Sequence, residues 1–216
     1  LPEDRLMEHD LVVVGVSAGG LDAVCTILRG LPASFGLALV VVQHRSKDSG
    51  ALRDLLQDCT PLIVCEVEDK QPIMGGYVYL APPDYHLLVD GDEFSLTVDA
   101  PVRYSRPSID VFFESVADRF GTEAAGVILT GANQDGAAGL RQVAARGGLA
   151  IVQDPRTAES PIMPRAALRA VARQPLYELK RVCADPAAAL ANEDYEPLVS
   201  RCLDEPSPTS PRPETC

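Results

Sequence analysis

The chain has 216 residues, 46% of them hydrophobic, and carries 31 acidic against 19 basic side chains, a formal net charge of −12. That length can bury one sizeable core, and the charge disfavours binding to nucleic acid or to an anionic membrane through a general field. No apolar run approaches the roughly 20 residues needed to span a bilayer, and Leu1 to Asp10 form a polar leader without the apolar stretch of a signal peptide.

Taken in chain order, Leu11 to Val16 is an apolar, β-branched run that predicts a buried strand. Gly20 to Arg29 follows as an amphipathic helix closed by Gly30 and Pro32. Leu37 to Val42 is a second apolar strand ending at Gln43-His44, followed by a helix over about Gly50 to Cys59 and a short strand at Leu62 to Cys65. Buried strands joined by helices make βαβ units, hence a mostly parallel, doubly wound α/β sheet with helices on both faces.

Tyr77 to Leu80 precedes a hairpin, Leu87 to Val89 and Phe94 to Val98 across Asp90-Gly91-Asp92, expected as an antiparallel extension of the sheet. Ser108 is a candidate N-cap for a helix carrying Ile109, Phe112, Phe113, Val116 and Phe120. A strand over Ala124 to Thr130, a helix over Ala137 to Arg146, a strand at Leu149 to Val152 and a helix over Pro164 to Ala172 follow, then an Ala-rich helix from Asp185-Pro186. One α/β domain over 11–203 is expected, with a disordered, proline-rich tail from Asp204. The six cysteines (Cys25, Cys59, Cys65, Cys183, Cys202, Cys216) lack C-x-x-C spacing, and several fall on apolar faces. They predict free thiols in a reducing cytoplasm, without a disulfide framework or a zinc site.

Gly15, Ser17 and Gly19 fit G-x-S-x-G, a strand-to-helix turn that lifts a serine hydroxyl beside unpaired helix N–H groups. Ser17 is the candidate nucleophile; as a plain N-cap it would have only a structural part. In an open parallel sheet the functional crevice lies beyond the carboxyl ends of the strands. Three apolar strands end in reactive polar residues, at Ser17, His44 and Asp135. Were those strands neighbours, imidazole could take the serine proton while carboxylate fixes its tautomer. His44 ends a strand, His9 lies in the leader, and His86 follows a Pro-Pro turn where it could border the pocket. Asp110 within a helix and Asp154 in an Asp-Pro turn are weaker candidates for the acid, and Asp135 itself could simply cap a helix.

These residues resemble the bacterial chemotaxis protein-glutamate methylesterases, the CheB catalytic domain. The likeness runs through Gly15-Val-Ser17-Ala-Gly-Gly20, Val42-Gln-His44, Ala81-Pro-Pro-Asp84-Tyr-His86, Arg106-Pro-Ser-Ile-Asp110, Leu129-Thr-Gly131…Asp135-Gly136-Ala137 and Met163-Pro-Arg165, in family order over about Leu11 to Val182. It implies a catalytic triad of Ser17, His44 and Asp135, hydrolysis of methyl esters on glutamates of receptor signalling helices, and in many members glutamine deamidation, without metal or organic cofactor. It also implies oxyanion donors near Ala18, Gly19 and Ala132, and contributions to substrate binding from Arg106 and Met163. Three positions depart from the family: Ala18 replaces a threonine, and in Gly131-Ala132-Asn133 the last two residues replace those of Gly-Met-Gly. The family's receiver domain is not in this sequence, so control is expected from an upstream receiver or a separate regulator. Alternatives are a non-catalytic scaffold binding receptors or a methyltransferase, an α/β-hydrolase esterase, disfavoured by the order Ser…His…Asp, and a nucleotide-binding Rossmann module, disfavoured by Ser17 and His44.

Overall fold

The computed structural model describes residues 11–45, 51–171 and 176–177; the leader, the expected Ala-rich helix and the tail lie outside them. The first apolar run is strand β1 (Leu11–Val16), followed by helix α1 (Gly20–Gly30), β2 (Ala38–Gln43) and α2 (Leu52–Gln57). Strands β3 (Ile63–Glu66) and β4 (Tyr77–Leu80) precede the hairpin β5 (His86–Asp90) and β6 (Glu93–Thr97). Then come α3 (Ile109–Phe120), β7 (Ala124–Ile128), α4 (Ala137–Ala145), β8 (Leu149–Gln153), α5 (Ile162–Ala170) and a two-residue β9 (Leu176–Tyr177).

Seven strands form one parallel sheet in the order β3-β4-β2-β1-β7-β8-β9. Strand side chains alternate between its two faces. Leu11, Val13, Val40 and Val42 join Phe112, Phe113, Leu140 and Met163 of α3, α4 and α5 on one face. Val14, Val16, Leu39 and Val41 pack with Val24, Leu28, Leu52 and Leu56 of α1 and α2 on the other. Gly15 continues the first face where α3 lies hard against the sheet: a Cβ there would sit 2.4 Å from Ile109 Cγ2. That close approach carries the start of α3 to the carboxyl end of β1.

Two expectations change. The Asp-Gly hairpin forms, but as a two-stranded sheet of its own, packed on α3 through Leu87 and Phe94 and tied there by Val89 N donating to Ser115 Oγ, instead of extending the parallel sheet. Cys25 and Cys59, expected as free thiols, form a disulfide with Cα atoms 5.4 Å apart; Cys65 stays free. Because α1 and α2 lie side by side on one face, residues 34 apart in sequence meet, which no local spacing signals.

Candidate active site

Strand order decides which loops meet. β2, β1 and β7 are adjacent, so the turns after them share one edge, and the sequence direction of the sheet reverses between β1 and β7. Such a switch point opens a crevice. Backbone bonds stitch the three ends together: Ser17 N donates to Thr130 O at 3.0 Å and His44 N to Val16 O at 3.2 Å. Thr130 Oγ1 donates to Ala18 O and accepts from Ser160 N, both at 2.8 Å, so the aspartate strand also holds the serine turn.

Neither Ser17 nor Asp135 caps the helix that follows it. The N-caps of α1 and α4 are Gly19 and Gly136, both left-handed and without a side-chain cap bond. Gly136 has φ 94°, and a Cβ there would meet Ile128 Cδ1 at 2.5 Å and Ile109 Cγ2 at 2.7 Å, so a side chain is barred twice over. Asp135, fully buried, turns instead to the N-terminus of α3. Its Oδ1 accepts from Ser108 Oγ at 2.9 Å and Asp110 N at 3.0 Å, and its Oδ2 from Ile109 N at 2.7 Å. Oδ2 also meets His44 Nε2 at 2.8 Å. An anion at a helix N-terminus satisfies donors that the helix leaves unpaired.

Burial pushes the Asp135 carboxyl up, but the bonds from His44, Asp110 N and Ile109 N outweigh it and hold the group below the ordinary carboxylate range. Asp110 goes the other way. Burial raises its carboxyl and the Asp135 charge adds to the rise, against the Gly139 amide, which donates at 2.8 Å, and the Arg103 guanidinium at 3.4 Å.

With Nε2 facing the carboxylate, His44 presents Nδ1 to the rest of the site, and Asn133 Nδ2 lies 3.3 Å from it. Register sets Val16 opposite Gln43, which makes Ser17 and His44 neighbours on adjacent strand ends, although no hydrogen bond joins their side chains among the described residues. Ala18 and Ala132 are exposed, and neither amide donates to another group among the described residues. A cleft of about 480 Å³ opens beside His44, lined also by Arg45, Asp84, Tyr104, Ser105 and Arg106.

Of the other expected site residues, His86 and Met163 lie away from the cleft and Arg106 lines it. His86 is buried behind the site: Nε2 donates to Ala100 O at 3.1 Å and Nδ1 accepts from Ser108 N at 3.2 Å, so it steadies the turn before α3 instead of bordering the cleft. Met163 is fully buried under Gly131, whose carbonyl accepts from Met163 N; it supports the aspartate loop from below and presents no surface to a substrate. Arg106 lines the cleft, with Nη1 donating to the Val98 and Asp99 carbonyls. The fold adds Ser108 and Asn133 to the site. The N-cap pattern marked Ser108, but only the fold reveals that its hydroxyl donates to Asp135; Asn133, two residues before Asp135, carried the signature of a local Asx turn and no more.

Sheet order and site together define a doubly wound α/β protein whose polar centre lies at the switch point. The sequence profile of the CheB methylesterase family matches residues 12–185, and the chain belongs to that family. It is 44% identical over 178 residues, 82% of its own length and 92% of the relative's, to a Leptospira interrogans protein provisionally named protein-glutamate methylesterase/protein-glutamine glutaminase. It is 38% identical over 174 residues to a similarly named Pseudomonas putida protein, of which it spans 52%. The crystal structure of the Thermotoga maritima CheB methylesterase catalytic domain matches with a TM-score of 0.76 at 27% identity, covering 89% of this chain and 98% of that one. Among the described residues, no helix is long and apolar enough to cross a membrane.

Proposed function

We propose that this chain is a serine hydrolase that removes methyl esters from glutamate side chains of chemoreceptor signalling helices in the cytoplasm, releasing methanol, and that it deamidates receptor glutamines at the same site. The observation that carries this is the His44–Asp135 pair, held at 2.8 Å beside the Ser17 turn. Asp135 accepts from Nε2–H and leaves the Nδ1 lone pair to act as base. His44 then takes the Ser17 proton as Oγ attacks the γ-carbonyl. The tetrahedral oxyanion is received by the Ala18 and Ala132 amides, which donate to no other group among the described residues. Collapse breaks the ester C–O bond, and methanol (ammonia from glutamine) leaves with the proton from His44. Water, deprotonated by His44, cleaves the glutamyl-enzyme and returns Ser17 and a free glutamate. The family membership and the relatives' names support the ester and amide assignment. Control by an upstream receiver or a separate regulator is part of the same proposal.

The test is methanol release from methylated receptor, together with fluorophosphonate labelling, by wild type and Ser17→Ala. Both signals should disappear in the variant. Equal methanol release by the two proteins would end the proposal, and absence of labelling in wild type would favour a binding scaffold of the same fold.

A further inference from the structure

Asn133 Oδ1 accepts from Asp135 N at 3.1 Å, which leaves its NH2 group facing His44 Nδ1 at 3.3 Å. The amide's orientation follows from its neighbours, since the Asp135 N–H needs an acceptor and the ring nitrogen needs a donor. The ring is oriented in the same way: the carboxylate accepts from Nε2–H, so Nδ1 carries the lone pair. That nitrogen has a single in-plane lone pair. It cannot accept from Asn133 and from the Ser17 hydroxyl together, and among the described residues Ser17 makes no side-chain hydrogen bond to His44.

Resting on the serine hydrolase proposal, we infer that Asn133 is a latch on the base. It is a positioning residue that keeps His44 in the tautomer needed for attack, and it must swing off Nδ1 before Ser17 can pass on its proton. The contact is long and joins two neutral groups, so releasing it slows acylation by about two- to tenfold. The latch belongs to the departure from the family pattern, since a glycine at this position has no side chain to reach the ring.

Asn133→Ser tests this cleanly. Its hydroxyl still accepts from the Asp135 amide but is one bond too short to reach Nδ1; Asn133→Gly drops both contacts. Fluorophosphonate should label Ser17 about two- to tenfold faster in both variants. Steady-state ester hydrolysis should show the gain in kcat and not in KM. The ¹⁵N resonance of His44 Nδ1 should move towards that of a free, lone-pair-bearing nitrogen. Faster labelling with a shifted resonance supports the latch. An unmoved resonance, or a moved one with equal or slower labelling, overturns it. If neither wild type nor variants are labelled, the hydrolase proposal itself fails and the latch falls with it; labelling of the variants alone would mark a tighter latch.

Discussion

Asp135→Asn looks nearly isosteric, but the structure gives the amide nowhere to sit. Each carboxylate oxygen faces one backbone N–H, Asp110 N at Oδ1 and Ile109 N at Oδ2. Whichever way the asparagine turns, its NH2 group confronts one of them. An orphaned buried amide costs about 1–3 kcal/mol, and losing a charge at the α3 N-terminus removes roughly 0.3–2 kcal/mol more. The variant should therefore lose about 1–5 kcal/mol of stability at neutral pH. Labelling of Ser17 should fall much further, towards the ~10⁴ loss seen when a serine protease's triad aspartate becomes asparagine.

The pH dependence follows from the sign of the shift. The Asp135 carboxyl lies below its unfolded value, so its contribution is present above that value and lost as pH falls through the folded one. The gap between wild type and variant should narrow as pH drops through and below the ordinary carboxylate range. Denaturant unfolding at a series of pH values measures the gap, and fluorophosphonate labelling measures the rate. A variant matching wild type in both at neutral pH would refute this account of Asp135.

Gly15→Ala should destabilise the fold by about 1–3 kcal/mol, because the new methyl overlaps Ile109 Cγ2 and crowds Ile128 Cδ1 at 2.9 Å. Unfolding midpoints check it, and a neutral result would mean that α3 can slide off β1. Asp110→Asn should gain on wild type as pH rises from about 4 to neutrality. A carboxyl raised in the fold contributes stability below its unfolded value and loses it as pH climbs through the folded one, whereas asparagine stays neutral and still accepts from Gly139 N. Thermal unfolding at the two pH values decides, and a relative loss at neutral pH would show that pairing with Arg103 outweighs burial.

The sheet was legible because its signals are local. Val12 to Val14 and Val40 to Val42 are too short and too β-branched for anything but strands buried on both faces, and the glycine and proline breaks between them set the helix bounds. The pairing partners of elements distant in sequence were not legible. Asp90-Gly91-Asp92 announces a hairpin but says nothing about which surface receives it, and Leu87 and Phe94 settle that by packing with α3 instead of lengthening the sheet. Cys25 and Cys59 fail for the same reason: their meeting is set by how two helices pack, which neither helix records in its own pattern.

At the site, the local rules actively mislead. A serine three residues before a helix and an aspartate just before a Gly-Ala pair both read as N-caps, yet glycines hold those posts. This frees the polar side chains for long-range partners. Asp135 does cap a helix, but one that begins 26 residues earlier in the chain, and Ser108, the cap of that helix by sequence, is bonded to both Val111 N and Asp135. Four donors on one buried carboxylate make the imidazole's orientation a by-product of helix capping. Substitutions at Asp135 should therefore never separate catalysis from stability. Asn133 touches the ring without helping to cap α3, so it is the residue in this loop where the two can be pulled apart.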